Sequence, residues 1–127
     1  LEGTLALAPD HADSAREVLQ RLLVLIDANG SLPESLDTPQ VRRSDIIAQA
    51  LRVGLLLESP LASAATRLDA LAAALIARVG ADGSICFQPG SERTQINVWC
   101  AMFAQQALDW YALRASAASA PDPKEIV

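Results

Sequence analysis

Four polar residues recur at helical spacing within an otherwise apolar stretch of the chain: Arg42, Asp45, Gln49 and Arg52. Successive helical residues are about 100° apart, so these four share one face of a helix. Arg42 and Asp45 are three residues apart and can pair. A guanidinium beside an amide suits the recognition of sugar hydroxyls or carboxylates. The alternative is a solvent-facing stripe with an intrahelical ion pair, which contributes about 0.3–0.5 kcal/mol.

A second stripe near the carboxyl end combines aromatic rings with an amide. Its members, again at helical spacing, are Trp99, Phe103, Gln106 and Trp110. Flat rings cover the apolar faces of sugars while an amide bonds their hydroxyls, so the stripe is a candidate saccharide site. The alternative is core packing, because so few other aromatic residues are present to anchor it. Asn97 lies off this stripe and can cap the helix or bridge backbone groups.

Few residues are suited to catalysis. General acid–base chemistry on sugars needs two carboxylates about 5–9.5 Å apart, and Asp45 is the only acid on the two stripes. Asp27, Asp82 and Glu92 fall at helix ends or in loops, where solvated turns explain them. His11 is the only histidine, so neither a metal site nor a Ser-His-Asp triad is expected. The residue types favour a non-catalytic role and indicate no metal and no cofactor.

The charge balance restricts the classes of partner. The 127 residues carry a formal net charge of −5, and Arg42-Arg43 is the only adjacent basic pair. This distribution cannot neutralise a row of phosphates, so nucleic acid and anionic membranes are not expected partners. No apolar run approaches the roughly 18 residues that a membrane span needs. We expect Cys86 and Cys100 to be free thiols, which slightly favours a cytoplasmic location, with a disulfide as the alternative.

The elements that must position these residues come from a pattern that occurs twice. One helical segment ends in Asp27-Ala-Asn-Gly-Ser31 and another in Gly80-Ala-Asp-Gly-Ser84. Each is followed by a polar loop and a helix with Gln-Ala-Leu, at residues 49–51 and 106–108. The turns are offset by 53 residues (29 to 82) and the triplets by 57 (49 to 106). A repeat of this period indicates stacked supersecondary units that share one core.

Start and stop signals predict four long helices. Each helix begins at a capping residue or a proline, and a glycine or a polar loop follows it. The predicted spans are 10 or 13 to about 26, 38 to about 58, 59 to 79 and 95 to 114, after a short helical piece over 1–8. Residues 85–87 can form a short extended piece. The fold class is all-α, built of antiparallel helical-hairpin repeats, with one domain over 1–114 and a flexible tail over 115–127.

The two turns, the Ser44–Arg52 helix and the Ile96–Leu108 helix resemble a segment of the (α/α) toroids. In those proteins helical hairpins form a double ring, and members of the polysaccharide-processing and terpene-cyclase-like types carry similar Asp-Gly-Ser turns. The resemblance covers most of residues 1–114, and its motifs are structural. The aspartate cluster of terpene cyclases is absent from this sequence. The resemblance implies either a segment of a longer protein or open ends that pair with another copy.

Three functions follow as hypotheses. In the first, a toroid-like segment binds or processes a polysaccharide in a central cleft lined by Asp45, Gln49, Arg52, Trp99 and Gln106. In the second, a non-enzymatic helical-repeat module buries the same faces against a partner chain. In the third, which the missing aspartate cluster weakens, the toroid handles an isoprenoid. Convergence of the two stripes on one pocket favours the first hypothesis, and aromatic residues enclosed between helices favour the second.

Overall fold

The computed structural model describes residues 11–57, 62–89 and 97–115. Its four α-helices are α1 (Ala12–Leu23), α2 (Ser44–Leu56), α3 (Ala62–Ile76) and α4 (Val98–Ala115). One antiparallel bridge pairs Val79 with Ile85, and the described ranges contain no longer strand. The all-α prediction is confirmed. The predicted helical piece over 1–8 and almost all of the predicted tail lie outside the described residues.

The second helix begins later than predicted, at Ser44 instead of Thr38-Pro39. The amide of Val41 donates to the carbonyl oxygen of Thr38 at 3.1 Å. This bond places Pro39 at the second position of a β-turn, which suits its fixed φ. The amide of Thr38 also donates to Ser35 Oγ at 3.1 Å. The Thr-Pro signal therefore marks a turn in the loop before α2, and the predicted start was wrong.

Asn97 caps the last helix, which is one of the two roles predicted for it. Its side-chain oxygen accepts the amide of Trp99 at 2.9 Å and that of Cys100 at 3.2 Å. These amides belong to the first turn of α4 and have no partner within the helix. The cap places the start of α4 at Val98.

The first helix begins without a side-chain cap. His11 occupies the cap position and makes no capping hydrogen bond. The carboxylate of Asp13, one of the two predicted caps, pairs instead with Arg16 at 2.6 Å on the exposed face of α1. The other predicted cap, Asp10, lies outside the described residues.

The central helix is α2, which contacts each of the other three. At its start, Ser44 Oγ accepts a hydrogen bond from Arg78, just beyond the end of α3, at 2.9 Å. Near its end, a Cβ added to Gly54 would lie 2.3 Å from Leu68 Cδ2 in the first half of α3. Helices α2 and α3 therefore run antiparallel, as predicted. A side chain at position 54 would therefore require the Leu68 side chain to move.

The predicted repeat is present in the backbone. Both turns are closed by the same two backbone hydrogen bonds. In the first turn the amide of residue 27 donates to the carbonyl of residue 31, and the amide of residue 30 donates to the carbonyl of residue 27. In the second turn residues 80, 84 and 83 take the places of 27, 31 and 30. Gly30 and Gly83 occupy the same left-handed position, with φ of +72° and +79°. Glycine adopts this conformation without the steric cost that a side chain carries. We call α1, its turn and α2 unit 1, and α3, its turn and α4 unit 2.

The equivalence extends into the helix ends at a constant offset of 53 residues. Three backbone hydrogen bonds recur. In unit 1 the amides of residues 24, 25 and 26 donate to the carbonyls of 20, 22 and 23, respectively. In unit 2 the amides of residues 77, 78 and 79 donate to the carbonyls of 73, 75 and 76. Leu32 and Ile85 follow the turns, and both are buried. The units then differ, because the amide of Cys86 donates to the carbonyl of Arg78 at 3.1 Å. The equivalent residue of unit 1 is Pro33, which has no amide hydrogen.

Candidate functional site

The polar residues at and before the start of α2 have different partners. Arg42 donates to Asp27 Oδ2 at 3.1 Å instead of pairing with Asp45. Asp45 is buried, and its carboxylate accepts two hydrogen bonds from Arg43, at 3.1 Å and 2.6 Å. Gln49 is exposed to solvent. The predicted Arg42–Asp45 ion pair is therefore wrong, and both residues are engaged by other partners.

Arg43, which was not a predicted site residue, links three segments. Besides Asp45, its guanidinium bonds Glu34 Oε1 at 2.6 Å, and its Cζ lies 4.9 Å from the centre of the Phe87 ring. The hydrogen bonds that Arg43 donates to the carboxylates of Asp45 and Glu34 raise the pKa of Arg43. The cluster attaches the loop before α2 and the segment after the second turn to the first residues of α2. The charged groups of this cluster pair with one another, so we interpret the cluster as structural.

Most of the aromatic stripe of α4 packs against α2. Arg52 is 2% exposed, and its Cζ lies 5.0 Å from the Phe103 ring centre and 5.3 Å from that of Trp110. Distances of this kind are typical of cation–π contacts. Trp110 is 5% exposed, whereas Trp99 is 66% exposed, with its ring 6.5 Å from that of Phe103. The stripe thus runs from the helix interface at Trp110 to the surface at Trp99.

The five predicted binding residues are divided among different surroundings. Arg52 lies in the interface with α4, and Gln106 is half-buried, with an Oε1 that has no hydrogen-bond partner among the described residues. Asp45 is held by Arg43, and Gln49 and Trp99 are exposed. Gln49 and Gln106, matched in the repeat, therefore differ in burial. In the described part of the chain these five residues therefore do not share one environment, and their convergence on a pocket stays a prediction.

A different set of polar residues lines an open groove of about 350 Å³ beside the first turn and the end of α3. The groove has two cations and one carboxylate among its walls. Its polar lining residues are Asp27, Asn29, Ser31, Gln40, Arg42 and Arg78. None of the five predicted binding residues is among them. The groove forms where unit 1 meets unit 2, so residues distant in sequence share it.

Arg78 is the least compensated charge in this groove. Its Nη1 donates to Ser44 Oγ at 2.9 Å and its Nη2 to Ser31 Oγ at 2.8 Å. No carboxylate in the described part of the chain lies within ion-pair distance of it. Burial lowers the pKa of Arg78, although a guanidinium stays charged in proteins. The side chain is therefore a partly desolvated cation held by neutral hydroxyls.

Asp27 supplies the groove's carboxylate but is already engaged. It accepts the amides of Asn29 and Ser31, each at 2.9 Å, and the Nε of Arg42 at 3.1 Å. Desolvation acts to raise the pKa of Asp27, but the hydrogen bonds from Ser31, Arg42 and Asn29 outweigh it and hold the pKa below its ordinary value. Asp27 is thus ionised at neutral pH and is unsuited to donating a proton.

The sequence patterns did not predict Arg78 as a site residue, because it belongs to no recognised motif. The repeat itself carried the signal, since position 78 corresponds to Leu25 at the offset of 53 residues. A charged residue in one copy of a repeat where the other copy is apolar indicates a role specific to that copy. Asp82, by contrast, behaves as predicted. Its Oδ1 accepts the amide of Ser84 at 3.0 Å within the turn.

The two cysteines are free thiols in unlike surroundings, so we predict that only one of them reacts in the native protein. Cys86 is half-buried and Cys100 is fully buried. Burial, with the nearby charge of Asp45, raises the pKa of Cys100 to about 11. Because the thiolate is the reactive form, a maleimide at pH 8 should label Cys86 and spare Cys100. Mass spectrometry should find one label on the native chain and two in denaturant. Rapid native labelling of Cys100 would contradict this expectation.

The described residues hold no group of three or more His, Cys, Asp or Glu side chains that could bind a metal ion. No helix in the described part of the chain is both long and apolar enough to cross a bilayer. Comparisons with protein-family models, with curated proteins and with solved structures find no match to this chain. Its function must therefore be argued from the geometry of its own residues.

Proposed function

We propose that this protein binds a small acidic ligand rich in hydroxyl groups, such as a uronic acid unit of a saccharide. The ligand lies in the open groove beside the first turn and the end of α3, which we call the Arg78 groove. One observation carries the proposal. Arg78 is a partly desolvated guanidinium whose side-chain hydrogen bonds to described residues go to two serine hydroxyls, and it lines an open groove. A cation in such surroundings gains more from an added anion than an exposed one does, because water screens it less.

The remaining donors of Arg78 suit a carboxylate. A guanidinium has five N–H groups, and the serine hydroxyls engage two of them. Those that remain can form the paired hydrogen bonds by which arginine binds carboxylates. This arrangement supports a ligand with at least one negative group.

The other walls of the groove suit hydroxyl groups. Asn29 and Gln40 have amide side chains, and Ser31 offers a hydroxyl oxygen. The volume, about 350 Å³, lies at the small end of the range for ligand pockets. The proposed ligand is therefore still a saccharide, but the residues proposed to bind it are those of the groove and not the five predicted from sequence. A single engaged carboxylate in the groove supports binding and gives no pair for acid–base catalysis.

Titration of the protein with a uronate tests the proposal. We expect D-glucuronate to shift the amide NMR signals of residues 27–31, 40–42 and 77–78, and added salt to weaken the binding. Glucose serves as the control without a charge and acetate as the control without hydroxyls. Both should bind more weakly than the uronate. Equal effects from glucose and glucuronate, or no shift with either, would refute the proposal.

A pair of substitutions at Gln40 should change uronate affinity in opposite directions. Gln40 is exposed at the groove, so its replacement leaves the core intact. Gln40→Glu should weaken uronate binding by about fivefold, and Gln40→Lys should strengthen it by a similar factor, from about 1 kcal/mol of Coulomb energy. Gln20→Glu, exposed on α1 and outside the groove, is the matched control and should have no effect. Calorimetric titration measures all three. Equal affinities for the two Gln40 variants would place the ligand elsewhere.

A further inference from the structure

The charges that line the Arg78 groove do not cancel. Its charged residues in the described part of the chain are Asp27, Arg42 and Arg78. Asp27 pairs with Arg42, whose Nε lies 3.1 Å from Oδ2 of the carboxylate. The side-chain hydrogen bonds of Arg78 to described residues go to the neutral hydroxyls of Ser31 and Ser44. Two cations and one carboxylate thus give these walls a net charge of +1, which lies at Arg78.

The carboxylate of Asp27 is held in one orientation. Its Oδ1 accepts the amides of Asn29 and Ser31, each at 2.9 Å, and its Oδ2 accepts the Nε of Arg42. The side chain cannot turn away from the groove without breaking these bonds. An anion that binds beside Arg78 therefore also meets the negative charge of Asp27.

The fold of the turn does not require a carboxylate at this position. Gly80 is the equivalent of Asp27 at the offset of 53 residues. The second turn is nevertheless closed by the same two backbone hydrogen bonds as the first. The charge of Asp27 is therefore specific to unit 1, where the groove opens beside it.

We propose that the Arg78 groove selects ligands with a single negative charge, a carboxylate or a sulfate ester, and that Asp27 is the residue that disfavours doubly charged phosphate esters. This inference rests on the proposed function, the binding of an acidic saccharide in the groove. It adds the charge that the ligand must carry. Specificity of this kind depends on a repulsive group as well as on an attractive one.

The selection follows from how the binding terms depend on ligand charge. Attraction to Arg78 and repulsion from Asp27 both grow in proportion to the charge of the ligand. The cost of removing the ligand from water grows with the square of its charge. A second negative charge on the ligand therefore adds more cost than attraction in a groove with one uncompensated cation. Neutralising Asp27 raises the attraction, and it does so twice as much for a doubly charged ligand.

Two esters of similar shape and unlike charge test the proposal. Glucose 6-sulfate carries one negative charge, whereas glucose 6-phosphate carries nearly two at pH 8, because its second pKa is about 6. Calorimetric titration at pH 8 measures the affinity of the unaltered chain for each ester and for D-glucuronate. We expect the sulfate to bind about fivefold more tightly than the phosphate.

Asp27→Asn should remove this preference. The variant keeps an Oδ1 that can accept the two amides of the turn, but it lacks the charge. We expect affinity for the sulfate to rise about fivefold and affinity for the phosphate about 25-fold, so that the two esters bind about equally. Asp109→Asn is the matched control, because it removes the same charge from an exposed residue of α4 that is not among the groove residues. It should change neither affinity.

The outcomes separate this inference from the function on which it rests. Tighter binding of the phosphate than of the sulfate to the unaltered chain would overturn the selectivity, even where glucuronate binds as expected. Equal gains for both esters in Asp27→Asn would overturn the role of Asp27. The comparison of esters on the unaltered chain decides the matter if that variant does not fold. Absence of binding by glucuronate and by both esters would refute the proposed function and this inference with it.

Discussion

Gly30→Ala should lower the free energy of unfolding by about 2–5 kcal/mol. Two physical costs add together at this position. An L-residue in the left-handed region costs roughly 1–2 kcal/mol, and overpacking a tight contact costs a further 1–3 kcal/mol. The contact is tight because the new Cβ would lie 2.3 Å from a backbone oxygen of α3, which cannot rotate away. Urea denaturation followed by circular dichroism measures the loss.

The repeat offers a matched control for this substitution. Gly83 has a φ of +79°, close to the +72° of Gly30, and a Cβ added there meets no atom of the described residues within 4 Å. Gly83→Ala should therefore cost only the backbone term, roughly 1–2 kcal/mol. The difference between the variants measures the cost of an added Cβ at the contact between the Gly30 turn and α3. Equal losses from the two substitutions would contradict the close approach described there.

Trp110→Ala should lower the free energy of unfolding by about 3–5 kcal/mol, as large-to-small substitutions at buried aromatic residues do. Trp110 is 5% exposed and lies over the guanidinium of Arg52 in the α2–α4 interface. The truncation leaves a cavity and also removes a ring that covers a buried cation. Equilibrium denaturation in urea measures the change, with near-ultraviolet circular dichroism to report on the packing of the remaining rings.

Trp99 is the natural comparison for Trp110 because both belong to the same stripe of α4. Trp99 is 66% exposed, and Trp99→Ala should change the free energy of unfolding by less than about 0.5 kcal/mol. A large loss at Trp99 with little change at Trp110 would invert the expected order and contradict the described packing of α4. The two variants separate the structural part of the stripe from its surface end.

Local features of this fold were predictable from sequence. The two glycine turns, the capping role of Asn97 and the turn around Asp82 each depend on hydrogen bonds between residues at most four positions apart. Such bonds need only the backbone conformations that Gly, Asn and Asp favour. The all-α class follows from helical spacing of apolar residues in the same way. One local signal failed, since Pro39 suits either the first turn of a helix or a β-turn.

The candidate site was not predictable to the same extent, because its pairings join residues far apart in the chain. Arg42 bonds Asp27 across 15 positions and Arg78 bonds Ser31 across 47. Helical spacing placed Arg42 and Asp45 on one face, but it could not indicate that Asp27 would approach that face.

The sequence alone therefore determined the helices, their duplication and the conformation of both turns, because near neighbours in the chain decide these. Tertiary packing alone decided the partners of Arg42 and Arg78, which of two matched glycines contacts α3 and where a groove opens. Packing brings unit 1 against unit 2 at Gly30, whereas no described residue lies within 4 Å of a Cβ added at Gly83. Two turns of the same backbone conformation thus acquire different surroundings, since burial depends on what the rest of the chain places beside them.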